Sequence, residues 1–241
     1  MDTNCLSALI WDLDGTLIHF KIDFIRARRA AIKILKDYGV PKKEITIKNS
    51  ILENVQKARK ILKEKDKDMS YIQEMITEVD NAVIKIEYEA AMDATKVNGI
   101  EKVLEFAEKN GLKQAIFTFN THNNAKISLE QAGLSKYFDI IIGRDNVQNA
   151  KPHPDHLSTI CEQLGVNPSE ILVLGDTSRD IEAAKNVGAK SIAINTKISK
   201  FTKKETFLQA DYIVEEADIP EQLLSILKSL LNESNKHEQR H

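Results

Sequence analysis

The chain has 241 residues, with 34 Lys and Arg against 36 Asp and Glu, for a formal charge of −2. That length holds one large domain or two modest ones around a real core, and 42% hydrophobic with 29% charged residues exclude collagenous and wholly disordered chains. The near-neutral balance argues against a dedicated nucleic-acid binder. Cys5 and Cys161 are too few for a disulfide scaffold and lack metal-ligand spacing, which points to a reducing compartment. No apolar run approaches the ~20 residues that span a bilayer, and the apolar stretch near the N-terminus meets Asp12 too early for a signal peptide. The expectation is a soluble cytoplasmic protein.

In chain order, short apolar runs alternate with helical patterns. Leu6–Trp11 leads into Asp12, Leu112–Phe117 into Thr118, and Phe138–Ile142 into Gly143; Ile171–Leu174 then leads into Gly175-Asp176, followed by Ser191–Ile194 and a weaker Tyr212–Val214. Each has strand length and is apolar on both faces, as expected of strands buried between two helix layers. Between them lie helical patterns at Glu101–Lys109, Asn124–Ala132, Ile181–Val187 and Leu223–Leu231, three of them closed by Gly111, Gly133 and Gly188. Such alternation predicts an α/β fold: a Rossmann-like parallel sheet with right-handed crossovers and helices on both faces. Ligands of such sheets gather beyond the carboxyl ends of the strands, where the polar residues of this chain cluster.

One stretch breaks the alternation. From about residue 20 to 95 there is no strand pattern and only one Gly and one Pro, Gly39 and Pro41. Apolar stripes at helical spacing run through Ala31, Ile34, Leu35 and Tyr38, through Ile51, Val55, Ala58 and Leu62, and through Ile72, Met75, Ile76, Val79, Val83 and Ile86. These predict a small helical domain inserted after the first strand. The expected organisation is a core of residues 1–18 and 96–231, an α-helical insert of residues 19–95, and a polar, frayed tail over 232–241. The mixed-charge run Lys57–Asp68 reads as a solvated helix face or connection.

Two motifs carry chemistry. Asp12-Leu13-Asp14-Gly15-Thr16 ends the first strand, and a D-x-D-G-T string arises by chance in on the order of one chain in several hundred of this length. An acidic turn would also use Asp-Gly. Gly175-Asp176-Thr177-Ser178-Arg179-Asp180 ends another buried strand and opens a helix, so Asp176 and Asp180 project to one side. Asp176 or Thr177 as a helix cap, with Asp180 in the first turn, is the competing structural role, and capping and catalysis can coexist. Four carboxylates converging on one sheet edge repel, and a bound cation is the simplest remedy. All-oxygen ligands with open positions suit Mg²⁺ better than Ca²⁺. Lys151, in Asn149-Ala150-Lys151-Pro152-His153-Pro154, stands in a segment stiffened by two prolines. Thr118 offers a hydroxyl and a backbone N–H to an anion, or caps the following helix.

In order and spacing, these four segments resemble the motifs of the haloacid dehalogenase superfamily, nearest its phosphoglycolate phosphatase and β-phosphoglucomutase branch, and they span nearly the whole chain. The helical insert is similar to the family's α-helical cap of the first type. The resemblance implies a Mg²⁺-dependent phosphatase acting on a small phosphate monoester, phosphoglycolate or a sugar phosphate, through an aspartyl-phosphate. Asp12 would be the nucleophile and Asp14 the general acid and base. Mg²⁺ would be held by Asp12, Asp176 and the backbone carbonyl of Asp14, while Asp180 binds through water or orients Lys151. Thr118 and Lys151 would hold phosphoryl oxygens.

There are departures from the family pattern. Phe119 intervenes between Thr118 and Asn120 where many relatives carry Asn directly; Phe119 and Asn120 are candidate substrate contacts, and the role of Asn120 stays open. Leu17–Lys21 replaces a frequent short acidic or Ser-containing segment at the hinge of the insert, where His19 either touches substrate or, as is usual for a hinge histidine, faces water. His153 and His156 are three apart, but Pro154 between them and the lack of neighbouring Cys speak against zinc. A phosphomutase, a dehalogenase, a receiver-like phospho-accepting module and a non-catalytic phospholigand binder are the alternatives. The large insert argues against the receiver, and the retained side-chain types argue against the binder. A monomer or a homodimer fits the apolar stripes of the insert, with a small phosphate ester as partner and neither nucleic acid nor membrane.

Overall fold

A computed structural model of the protein describes residues 5–19, 22–196 and 203–238, with side chains through Asn232. Phe20 and Lys21 of the segment leading into the insert, and residues 239–241 of the expected tail, lie outside the described residues.

The chain opens with β1 (Ala8–Trp11) and a two-residue strand, β2 (Ile18–His19). Three helices follow: α1 (Phe24–Asp37), α2 (Ile51–Glu64) and α3 (Met69–Met92). The chain returns through β3 (Thr95–Lys96), which pairs antiparallel with β2. Then come α4 (Ile100–Lys109), β4 (Lys113–Phe117), α5 (His122–Ala132), β5 (Ile140–Ile142) and α6 (Pro154–Leu164). The last elements are β6 (Ile171–Gly175), α7 (Ser178–Val187), β7 (Lys190–Asn195), α8 (Lys204–Phe207), β8 (Tyr212–Glu215) and α9 (Glu221–Glu238).

All six expected strands form one parallel sheet, in the order β5-β4-β1-β6-β7-β8. Numbered along the chain as sheet strands, this is the 3-2-1-4-5-6 order of doubly wound folds, and the direction of winding reverses beside β1. At that reversal, successive crossovers lead to opposite sides and leave a crevice beyond the strand ends. Side chains of β1 alternate between the layers: Leu9 and Trp11 join Val103, Leu104, Leu129, Leu223 and Leu227 of α4, α5 and α9. Ala8 and Ile10 instead join Leu157, Ile160, Ala183 and Ala184 of α6 and α7. Burial on both faces explains why β1 reads as an apolar run without polar alternation. The one polar atom of Trp11 is satisfied internally, its indole N–H donating to Gln114 Oε1 at 3.2 Å.

The chain divides into two compact units, Met1–Phe20 with Asp93–His241, and Lys21–Met92. The second is helical, its core built from Ala31, Leu35, Val40, Ala58, Leu62, Ile72, Met75 and Val79, members of the three apolar stripes together with Val40. Helix α2 starts where Ser50 and Glu53 form a reciprocal capping box, which satisfies two backbone donors at once.

Several boundaries differ from the sequence reading; helix α7, for example, starts at Ser178, three residues before Ile181. Helix α5 begins at His122, because the Thr121 side chain accepts from the Asn124 N–H as its cap. Helix α9 runs to Glu238 rather than stopping at Leu231, since no Gly or Pro interrupts Asn232–Glu238. The β2–β3 pair was not anticipated, two residues per strand being too few to show a period.

Leu35 is fully buried in the helical unit. Leu35→Ala is expected to lower stability by about 2–5 kcal/mol, through lost transfer energy and the cavity left behind. A fall in the urea midpoint of the helical signal checks it.

Candidate active site

The parallel register places Asp12, Thr118 and Asp176 at the carboxyl ends of three adjacent strands. Trp11 pairs with Ile116 of β4 on one side and with Leu174 of β6 on the other. The Asp12 N–H continues that ladder, donating to Leu174 O at 2.8 Å. Asp12 therefore leaves the centre of the sheet at the winding reversal, flanked by Thr118 after β4 and Asp176 after β6.

Asp12, Asp176 and Asp180 each present a carboxylate oxygen, all within 4.8 Å of one another, and all three residues are buried. Into this cluster comes one ammonium. Lys151 Nζ donates to Asp12 Oδ1, to Asp180 Oδ1 at 2.7 Å and to Phe117 O at 3.1 Å, so each of its three N–H groups has an acceptor. Asp180 also holds the start of α7: its Oδ2 accepts from the Thr177 N–H at 2.9 Å and the Thr177 hydroxyl at 2.6 Å. The capping role and the charged role coexist in one side chain.

Two glycines permit this crowding. Gly15 has φ +85°, and a Cβ on it would lie 2.3 Å from Asp176 Oδ2. A Cβ on Gly175 would lie 2.3 Å from Asp180 Cβ. At both motif glycines a side chain would collide with a carboxylate of the cluster.

Burial pushes the Asp12 carboxyl up to about 7; Lys151 pulls it down and Asp180 adds to the rise. Burial, then Asp12 and Asp180, push Asp176 up to about 8. Burial works against the Lys151 ammonium, but Asp12 and Asp180 outweigh it and hold its pKa above the ordinary lysine value. Lys151 is charged, and it alone cannot offset three carboxylates. Asp176 Oδ1 is buried with no hydrogen-bond partner, while its Oδ2 accepts from the Thr196 hydroxyl at 3.0 Å. An oxygen-only donor set, an orphaned carboxylate oxygen and an excess of negative charge fit a small hard cation such as Mg²⁺.

The remaining expected residues divide. Thr118 is buried, its N–H donating to Ile142 O and its Oγ1 accepting from the Asn120 N–H, both at 3.1 Å. It does not cap α5. Asn120 Nδ2 donates to Asp14 Oδ2 at 2.8 Å. The Phe119 ring lies 4.9 Å from the Arg179 guanidinium carbon and 5.8 Å from Lys151 Nζ. His19 sits 3.7 Å from Glu216, 40% exposed at its side chain. His153 caps α6 from an exposed position. His156 has both ring nitrogens engaged, Nδ1 accepting from the Lys151 N–H at 3.2 Å and Nε2 donating to Ile142 O at 2.9 Å. Burial pushes it down to about 4, so it is a neutral brace under Lys151.

Thr196 and His156 were not singled out as site residues from the sequence. Thr196 follows β7, the strand beside β6, so strand order would have flagged it; His156 is visible only through the loop that carries Lys151.

A family model described as "Haloacid dehalogenase-like hydrolase" matches residues 9–194. The chain belongs to this family. Among its relatives, a Clostridium perfringens protein provisionally named pyrophosphatase PpaX is 30% identical over 190 residues, 78% of this chain and 84% of that one. A Thermotoga maritima "Phosphorylated carbohydrates phosphatase" is 26% identical over 227 residues, 94% of this chain and all of its own length. The solved β-phosphoglucomutase of Clostridium difficile shares the fold, with a TM-score of 0.61 at 20% identity, over 96% of this chain and 98% of its own. As a haloacid dehalogenase-like hydrolase, the protein has phosphatases among its named relatives, and among the described residues no helix is long and apolar enough to cross a membrane.

Two outcomes follow from the crowding. Asp12 and Asp176 hold protons more tightly folded than unfolded, so in the metal-free protein these two groups bind excess protons between about pH 4 and pH 8, an excess that His156, pushed down to about 4, offsets in part at the acid end. These groups therefore lose their stabilising contribution as pH rises through that window. Thermal melts in EDTA should show Tm falling from pH 5 to pH 8, with Mg²⁺ raising Tm more at pH 8 than at pH 5. Gly175→Ala should cost about 1–3 kcal/mol by overpacking against Asp180 and diminish the Mg²⁺-induced rise in Tm.

Proposed function

We propose that the protein is a Mg²⁺-dependent phosphatase that hydrolyses a small phosphate monoester, phosphoglycolate or a sugar phosphate, through an aspartyl-phosphate on Asp12. The observation that carries this reading is the trio of buried carboxylates, Asp12, Asp176 and Asp180, gathered around Lys151 in a chain of this hydrolase family. Its full-length relationship to a phosphatase of phosphorylated carbohydrates supports the substrate class.

Asp12 attacks phosphorus from the centre of the sheet edge, and the ester P–O bond breaks on the opposite side. Asp14, two residues on, gives a proton to the leaving oxygen and then takes one from the water that hydrolyses the acyl phosphate. Lys151 favours the ionised form of Asp12 against the burial that opposes it and, with the Thr118 hydroxyl, faces charge on the phosphoryl oxygens. Asp180 and His156 hold Lys151, from the side chain and from the backbone. When bound by Asp12, Asp176 and the Asp14 carbonyl, Mg²⁺ supplies neutralising charge to the nucleophile and the phosphoryl group. Phosphoryl transfer depends mainly on positioning and electrostatic stabilisation, which is what this set provides.

The test is a screen of phosphate monoesters and pyrophosphate at fixed Mg²⁺, ranked by kcat/KM. Free phosphate should appear in step with free alcohol, whereas a rearranged sugar phosphate would mark a mutase. Asp12→Asn should lower kcat by roughly 10³-fold or more. EDTA should abolish turnover and Mg²⁺ restore it, with Ca²⁺ a poor substitute. Folded wild-type protein inert across the panel would refute the reading.

A further inference from the structure

Asp14 is placed differently from the other carboxylates. It is half-buried, and its Oδ2 accepts from Asn120 Nδ2 at 2.8 Å, from a residue 106 positions away in the sequence. Asn120 is itself 2% exposed and held on every side of its backbone. Its N–H donates to Thr118 Oγ1 at 3.1 Å and its carbonyl accepts from the Arg144 N–H at 3.0 Å. Arg144 also grips the preceding carbonyl through its guanidinium, which donates to Phe119 O. Gly143 leaves room for this turn, because a Cβ there would lie 2.8 Å from Asn120 O and 2.4 Å from the His122 nitrogen.

A buried amide anchored at both backbone groups has few conformations to lose, so the direction of its N–H is fixed before substrate arrives. Phe119, the residue that separates Asn120 from Thr118, carries Asn120 one position further along the loop. From there its side chain meets the first strand's exit, while the Thr118 hydroxyl stays beneath the Asn120 N–H.

We infer that Asn120 is a positioning residue for Asp14, fixing the carboxyl that protonates the leaving oxygen; the inference rests on the phosphatase reading above. As Asp12 forms its bond to phosphorus and the ester P–O bond breaks, the bonding pair stays on the leaving oxygen, which takes the proton from Asp14. Donation from Asn120 to Oδ2 holds the carboxyl plane in one orientation during that transfer. General acid catalysis contributes ~10²–10⁴-fold, and loss of alignment forfeits part of it. Esters differ in how much they need it. An alkoxide leaves poorly without a proton, whereas 4-nitrophenolate departs readily as an anion.

The experiment compares kcat/KM for the best alkyl phosphate of the screen and for 4-nitrophenyl phosphate, in wild type, Asn120→Ala and Asn120→Leu. This parameter reports the steps through leaving-group departure, so later hydrolysis of the acyl phosphate does not enter. Leu keeps the approximate shape of Asn without the N–H, which separates donation from space-filling, and circular dichroism with the Mg²⁺-dependent Tm verifies the fold. Both variants are expected to lose at least ~10-fold on the alkyl ester and to stay within about 3-fold of wild type on the aryl ester. Equal losses on the two esters, or wild-type alkyl activity in Asn120→Leu, would overturn the inference while leaving the phosphatase reading standing. Wild-type protein that cleaves neither ester overturns both.

Discussion

Confinement of like charge is the constraint on which the rest of this molecule turns. Two carboxylates about 4 Å apart repel by about 4 kcal/mol at an effective dielectric of roughly 20, and Asp12, Asp176 and Asp180 present three such pairs. Against a net stability of about 5–15 kcal/mol for a typical domain, leaving all of them ionised and uncompensated would consume much of the fold's margin. Lys151 relieves the two carboxylates it touches and has no N–H left for Asp176. The deficit settles on Asp176, whose buried Oδ1 lacks a partner and whose carboxyl is raised furthest, to about 8. Protons or a cation must supply the missing charge, and which of them does depends on pH.

Topology makes the confinement possible. The winding reversal beside β1 puts the carboxyl ends of β4, β1, β6 and β7 side by side, and each is followed at once by a polar residue: Thr118, Asp12, Asp176 and Thr196. Hydrogen bonds of the sheet fix these positions, so the cost of holding like charges together is borne by the ladder and the two apolar layers around it. Gly15 and Gly175 are the local concession, giving up side chains where carboxylates need the space. Asp180 shows economy of another kind, since the oxygen that caps α7 belongs to the same group that steers Lys151.

Much of this was legible in the sequence, because it is written locally. Apolar runs marked the strands of the sheet, most plainly β1 and β6, which are buried throughout and need no polar alternation. The D-x-D-G-T and G-D-x-x-x-D strings fall at the carboxyl ends of strands, and they converge because β1 and β6 are neighbours in the sheet. Other features depend on facts the sequence does not carry locally. Thr196 matters only because β7 lies next to β6, and His156 only because the loop folds Lys151 back over α6. Thr121, not Thr118, caps α5, and a difference of three residues in a Thr- and Asn-rich loop has no period to reveal it. Asn120 meets Asp14 across 106 residues, through a loop whose shape is set by Arg144 and Gly143.

The site contains two carboxylates on one strand exit, two residues apart, in contrasting surroundings. Asp12 is buried against an ammonium, which stabilises its charged form even where burial opposes it. Asp14 is half-buried and its Oδ2 accepts from a neutral amide, which fixes the direction of the carboxyl. In the proposed mechanism Asp12 must be ionised to attack, and Asp14 must alternate between giving and taking a proton. Placing both on the same short segment, one turned toward Lys151 and the other toward Asn120, lets a single strand end serve both needs, provided the two partners arrive from different loops. That is the arrangement here: Lys151 comes from the segment before α6 and Asn120 from the segment after β4, so each can be fixed without disturbing the other.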